Sequence, residues 1–127
     1  MLSVSSKQKL TLVNKKLEDA VKRLHDAALK EAGLDTQVAC GFRPQAAQDD
    51  LWKQGRTRPG PIVTWTRRSK HSLGLAVDLF FMVNGKADWG IGKFILLAKI
   101  AARVCPELEW SGNWEITKEY CHFQLKE

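Results

Sequence analysis

Leu10, Val13, Leu17, Val21, Leu24 and Ala28 recur at three- and four-residue steps, with Lys, Glu and Asp between them. That spacing is one apolar stripe along a helix. Ser5 followed by Gln8 offers a capping box near its start, Asn14 is a point where it can break, and Gly33 ends it. His25 falls on the flank of the stripe, the place of a surface or half-buried imidazole. The run 36–42 is β-prone and short. Pro44 stands where a helix takes its first proline, and 45–54 reads as a short helix stopped at Gly55. Residues 56–70, with Pro59-Gly60-Pro61, are mostly loop around a short β-prone stretch at 62–65.

Period two replaces the helical period at 76–83. Val77, Leu79, Phe81 and Val83 share one face of a strand, and Ala76, Asp78, Phe80 and Met82 share the other. Asn84-Gly85 is a strong hairpin signal, with 86–89 as the returning strand. Residues 91–104 form a second long helix before Pro106, and 107–110 and 121–125 are short strands around the glycine-containing loop 111–114. Helices and hairpin-linked strands are segregated, which predicts an α+β fold: a small antiparallel sheet with helices packed on it.

At 127 residues the chain is about one domain and can bury a core unaided. It is expected to be a single domain over 1–127, with an N-terminal helical segment at about 5–33 and a chemistry-bearing region at about 38–127. The composition, 44% hydrophobic and 27% charged, excludes a disordered chain. Its longest apolar runs, five residues at 79–83 and 94–98, are far too short to span a membrane. No basic stretch followed by an apolar one marks a signal peptide at the N-terminus, so a cytoplasmic start is expected. Three cysteines without CxxC spacing argue against a disulfide framework and against a thiolate-rich zinc module. The net charge of +6 is uneven: Lys53, Arg56, Arg58, Arg67, Arg68 and Lys70 fall in a stretch with no acid, whereas the chain from Cys105 onward holds five glutamates against two lysines. A basic loop of this kind suits an anionic partner or a solvated surface equally.

Asp78 is the oddity of its strand, because a carboxylate among Ala76, Phe80 and Met82 is costly to bury unless it is paired or binds a metal. His71 stands seven residues earlier, with Gly74 to permit a sharp turn and Ala76 to leave room. His122, on the last strand, is the remaining histidine near a strand, and Glu119 precedes it by three residues. Two histidines and one carboxylate with an open position are the donor set of a catalytic zinc site, and Glu119 is then the candidate base. The same spacing also fits a simple His71–Asp78 hydrogen bond with an unrelated His122. A rival is a cysteine hydrolase using Cys121, His71 and Asp78, but strand alternation points Cys121 away from His122. Of the five tryptophans, Trp65 and Trp114 lie in loops near these residues and are candidates for a cleft wall.

Ser69-Lys70-His71-Ser72-Leu73-Gly74-Leu75-Ala76-Val77-Asp78 matches every fixed position of an SxHxxGxAxD motif, and Glu119-Tyr120-Cys121-His122 matches ExxH. The chain thereby resembles the D-alanyl-D-alanine carboxypeptidase / L-alanyl-D-glutamate endopeptidase family of zinc peptidases. Gly41-Phe42-Arg43, Gln48, Gln54-Gly55-Arg56-Thr57 and Ser111-Gly112-Asn113-Trp114 resemble its other segments, so the likeness runs from about Val38 to the C-terminus. Within the family the chain looks most like small single-domain phage endolysins. The resemblance implies one zinc per chain on His71, Asp78 and His122, with Glu119 as general base. It implies that Arg43 faces the substrate, with Ser69 and Gln48 nearby as substrate contacts. It further implies cleavage of the L-alanyl–D-glutamate bond of bacterial peptidoglycan and host lysis by a phage. The expected protein is a monomer with no nucleic-acid partner, held in the host cytoplasm until a holin releases it to the wall. Ser111 stands where the family commonly has glycine, and Glu119 where several phage relatives have aspartate. Glutamate is also the carboxypeptidase form, so a D-alanyl-D-alanine carboxypeptidase stays open, as does a non-catalytic zinc-containing wall-binding module.

Overall fold

The apolar stripe of the N-terminal segment folds as two helices. In the computed structural model, which describes residues 1–64, 66–67, 69–114 and 118–126, α1 spans Val4–Leu10 and α2 spans Lys15–Ala32. Ser3 rather than Ser5 caps α1: it is extended and its hydroxyl accepts the Ser6 N–H, while Ser5 lies inside the helix. Asn14 opens α2 by accepting the Lys16 N–H at 2.9 Å. Its own N–H donates to the Gly74 carbonyl at 2.8 Å, so the break between the helices is pinned to a loop far along the chain. Leu17, Ala20, Val21, Leu24 and Ala28 are all buried. His25 is buried with them, its Nδ1 2.7 Å from the Thr36 carbonyl; this strand-edge acceptor draws the ring inward from its expected half-exposed place.

Among the described residues, five antiparallel strands follow: β1 (Thr36–Cys40), β2 (Ala76–Val83), β3 (Lys86–Asp88), β4 (Leu108–Trp110) and β5 (His122–Leu125). The sheet runs β1-β2-β5-β4, with β3 also on β2. β1 takes one edge of β2; β5 pairs with Ala76–Asp78 and β3 with Phe81–Val83 on the other. Two further helices are α3 (Gln45–Lys53) and α4 (Ile91–Val104). Positions 62–64 form no strand, and Trp65 lies outside the described residues.

The two faces of β2 have separate destinies. Val77, Leu79 and Phe81 are buried beneath α2 and α4, with the Phe81 and Phe94 rings 4.8 Å apart. Each such side chain contributes about 1.5–3 kcal/mol of burial. This buried face holds the strand in register and so aims Ala76 and Asp78 at the opposite side, where α3 and the loop after it leave a cleft.

Candidate metal centre

His71 stands on a single 3-10 turn, Lys70–Leu73, at the mouth of β2. The Ser69 hydroxyl accepts the His71 N–H at 3.1 Å, and Gly74 ends the turn at φ 71°, a left-handed conformation that a side chain would strain. Asp78 lies directly across from His122 in the β2–β5 pairing, so the two side chains emerge side by side on one face of the sheet. A turn and a cross-strand pair thus bring three donors together.

Each imidazole is oriented through the nitrogen that faces away from Asp78. His71 Nδ1 is 2.8 Å from the Gly41 carbonyl. A carbonyl only accepts, so in the neutral ring Nδ1 carries the proton and Nε2 is bare. His122 Nε2 is 2.9 Å from Gln124 Oε1, which leaves Nδ1 bare by the same logic. The two bare nitrogens each lie 3.3 Å from Asp78 Oδ1. Asp78 Oδ1 and His122 Nδ1 are nonetheless buried without a hydrogen-bond partner. Two imidazole nitrogens and a carboxylate oxygen that converge with orphaned atoms fit a divalent cation of the zinc type.

The electrostatics agree. Burial opposes charge on His71, but Asp78 and Cys40 beside it outweigh that and raise its pKa to about 10. Burial would raise Asp78, yet His122 and His71 hold its carboxyl well below the usual carboxylate range. The pocket collects protons where a cation would otherwise sit, and the two compete for the same lone pairs.

Glu119 stands at the rim, 52% exposed, with Oε2 3.7 Å from His122 Nδ1. Donor atoms of Asp78, Glu119 and His122 lie within 4.8 Å of one another, as do those of Cys40, His71 and Asp78. Cys40 approaches the Nδ1 edge of His71, already engaged by Gly41, so it does not share the point where the bare nitrogens meet. Cys121 is poorly suited to act as a nucleophile: burial, then the charges of Asp78 and Glu119, push its thiol up to about 12.

These groups open onto a cleft of about 550 Å³, whose walls include Arg43, Thr64, Thr66, Ser69, Trp114 and Gln124. Trp114 is placed on that wall, its ring 5.9 Å from that of His122. Gln48 is not: it is fully buried and lines no part of the cleft. Its side-chain oxygen accepts from Arg43 Nη1 at 2.7 Å, and its amide donates to Thr64 Oγ1 and the Thr66 carbonyl at 3.0 and 2.6 Å. Gln48 therefore ties Arg43 to Thr64 and Thr66 on the cleft wall. Sequence reasoning missed Thr64, Thr66 and Gln124; only Gln124 carried a signal, standing two residues beyond His122 on the same strand face.

A family model described as phage L-alanyl-D-glutamate peptidase matches residues 1–124. The chain is 34% identical over 116 residues to a peptidoglycan L-alanyl-D-glutamate endopeptidase, CwlK, of Bacillus subtilis (strain 168). That match takes in 78% of this chain and 65% of the relative, so the chain spans a little under two thirds of its length. Among solved structures, the L-Ala D-Glu endopeptidase ChiX of Serratia marcescens superposes with a TM-score of 0.76 at 28% identity, covering 99% of this chain and 90% of that one. VanY, a vancomycin-resistance D,D-pentapeptidase in complex with Zn(II), shares the fold with a TM-score of 0.62 at 22% identity, over 89% of this chain and 72% of that one.

Proposed function

Since the chain belongs to the phage L-alanyl-D-glutamate peptidase family, we propose that it is a zinc peptidase that hydrolyses the L-alanyl–D-glutamate bond of peptidoglycan stem peptides. The observation that carries this reading is the convergence of two oriented imidazoles on the partnerless oxygen of Asp78, with Glu119 at the rim. His71, Asp78 and His122 would hold one zinc per chain. Zinc bound there supplies Lewis acidity at the scissile carbonyl and acidifies water toward pKa ~7.

The remaining work falls to the chain's own side chains. Glu119, solvated and close to Asp78 and His122, accepts the proton of the attacking water and returns it to the leaving amine. Arg43, steadied by Gln48, turns its guanidinium toward the cleft, where it pairs with a stem-peptide carboxylate or with charge developing on the carbonyl. Trp114, Thr64 and Thr66 line the cleft and shield the bound peptide from water, and Ser69 acts by fixing the turn that carries His71.

On this reading the chain works as one catalytic domain over 1–127, a monomer that serves phage lysis of the host. It waits in the host cytoplasm and reaches the wall through a holin. Its positive charge, concentrated in 53–70, aids contact with the anionic envelope, an attraction that salt weakens. Digestion of purified peptidoglycan followed by mass analysis tests the bond: new D-glutamate amino termini are expected, with no free D-alanine. Release of D-alanine from otherwise intact stems would replace this reading with a D-alanyl-D-alanine carboxypeptidase. Zinc binding with no cleavage at all would leave a wall-binding module.

A further inference from the structure

β5 carries Gln124 on the same face as His122, and β4 sets Glu109 directly across from Gln124. Gln124 is nearly fully buried. Its Oε1 faces His122 Nε2 at 2.9 Å, and its Nε2 faces Glu109 Oε2 at 3.4 Å. The same Glu109 oxygen accepts the Trp114 indole N–H at 3.0 Å. The line Glu109–Gln124–His122 thus crosses the sheet and ends at the orphaned His122 Nδ1.

An ionised carboxylate can only accept hydrogen bonds, and an amide has one end of each kind. Glu109 therefore draws the NH₂ of Gln124 toward itself; the reversed amide would set two acceptors face to face in a buried place. With the NH₂ committed, the amide oxygen must face His122. An oxygen there requires the ring to donate from Nε2, and a neutral ring that is protonated on Nε2 is bare on Nδ1. The opposite tautomer would aim an N–H at Asp78 and remove the lone pair from the site.

We propose that Glu109 and Gln124 are positioning residues: Glu109 sets the direction of the Gln124 amide, and that amide holds the His122 proton on Nε2 and keeps Nδ1 available to a metal. Trp114 shares the Glu109 carboxylate, so a wall of the cleft and a candidate ligand rest on one anchor. The proposal rests on His122 being a zinc ligand, as in the reading above.

Three variants and two readouts separate the possibilities. Zinc affinity is measured by competition with a chelator, and the His122 tautomer by ¹⁵N spectra of histidine-labelled protein at mildly alkaline pH. Gln124→Leu removes the acceptor and should weaken zinc by about 10–100-fold, the usual cost of losing a ligand's hydrogen-bond partner. Glu109→Gln frees the amide to turn, so mixed tautomers and a smaller loss are expected. The exchange Glu109→Gln with Gln124→Glu rebuilds the same line with an acceptor facing His122, and should restore both zinc affinity and the Nε2–H form. Single variants that keep wild-type affinity and a single Nε2–H tautomer would overturn the proposal, as would an exchange variant no better than Gln124→Leu. A wild-type protein that binds no zinc would instead overturn the zinc reading, and the tautomer spectra would still report on the relay.

Discussion

Glu119 differs from the three donors in one respect that matters chemically: it is 52% exposed, while the His71 side chain is 4% and the His122 side chain 9% exposed. A solvated carboxylate exchanges protons readily, and its loss leaves the buried cluster whole. Glu119→Gln should therefore keep zinc content and melting temperature, while peptidoglycan cleavage falls by about 10²–10⁴-fold, the contribution of a general acid–base group. Metal analysis and turbidity loss on purified walls check the two halves of that expectation. The thiols behave in the opposite sense. Burial raises Cys105 to about 11 and Cys121 to about 12, so their thiolate fractions at pH ~8 are small and grow as pH climbs. Alkylation followed by peptide mass mapping should leave both unmodified at pH ~8, and Cys121→Ser should retain most activity. Rapid modification of Cys121, with loss of cleavage, would return the cysteine-hydrolase alternative to consideration.

Among the elements, the segment Glu119–His122 depends on a neighbour with little sequence prominence. Trp110, at the end of β4, donates its indole N–H to the Tyr120 carbonyl at 2.7 Å. Its ring occupies the space where a side chain on Gly112 would begin, since a Cβ there would lie 2.1 Å from the ring. Gly112→Ala should push Trp110 off Tyr120, lower stability by about 1–3 kcal/mol as overpacking does, and reduce activity beyond what the stability loss explains. Thermal unfolding and cleavage assays on the same preparation measure both. Unchanged melting and activity would mean that the indole is not the anchor of this segment. The relation also accounts for glycine in Ser111-Gly112 by close approach, independently of any motif.

Taken as a whole, the molecule gathers its candidate ligands from a turn, from β2 directly after it, and from β5, which α4 and β4 separate from them in the chain. A metal bound only by the folded arrangement stabilises it by mass action, about 2.7 kcal/mol when free metal is a hundredfold above Kd. Chelation should lower the melting temperature and abolish cleavage together. Zinc should restore both, whereas magnesium, which favours oxygen donors, should restore neither. A melting temperature indifferent to chelator and zinc would argue that the cluster holds no structural metal in solution. Full cleavage after exhaustive chelation would remove zinc from the mechanism.

What the sequence determined is whatever depends on short-range periodicity and fixed spacing. The bounds of β2 (Ala76–Val83) and α4 (Ile91–Val104) were legible because alternation and the 3.6-residue stripe are local consequences of burying one face. His71, Asp78, Glu119 and His122 stood out because a carboxylate on an apolar strand demands a partner, but spacing left a plain His71–Asp78 hydrogen bond equally open, and it was the matched SxHxxGxAxD and ExxH motifs that implied a ligand set and a base. The 3-10 turn under His71 was not, since its hydrogen bonds involve a cap and a glycine rather than a hydrophobic pattern. Only the tertiary structure decided that Gln48 lies buried beneath Arg43 and outside the cleft, because helix periodicity cannot say which polar side chain a loop will fold over. It likewise decided the pairing of Asp78 with His122 and of Gln124 with Glu109, which is a matter of strand register. Register is set by the packing of Val77, Leu79, Phe81 and Phe123 on the far face of the sheet, so the hydrophobic core chooses which polar groups meet at the site.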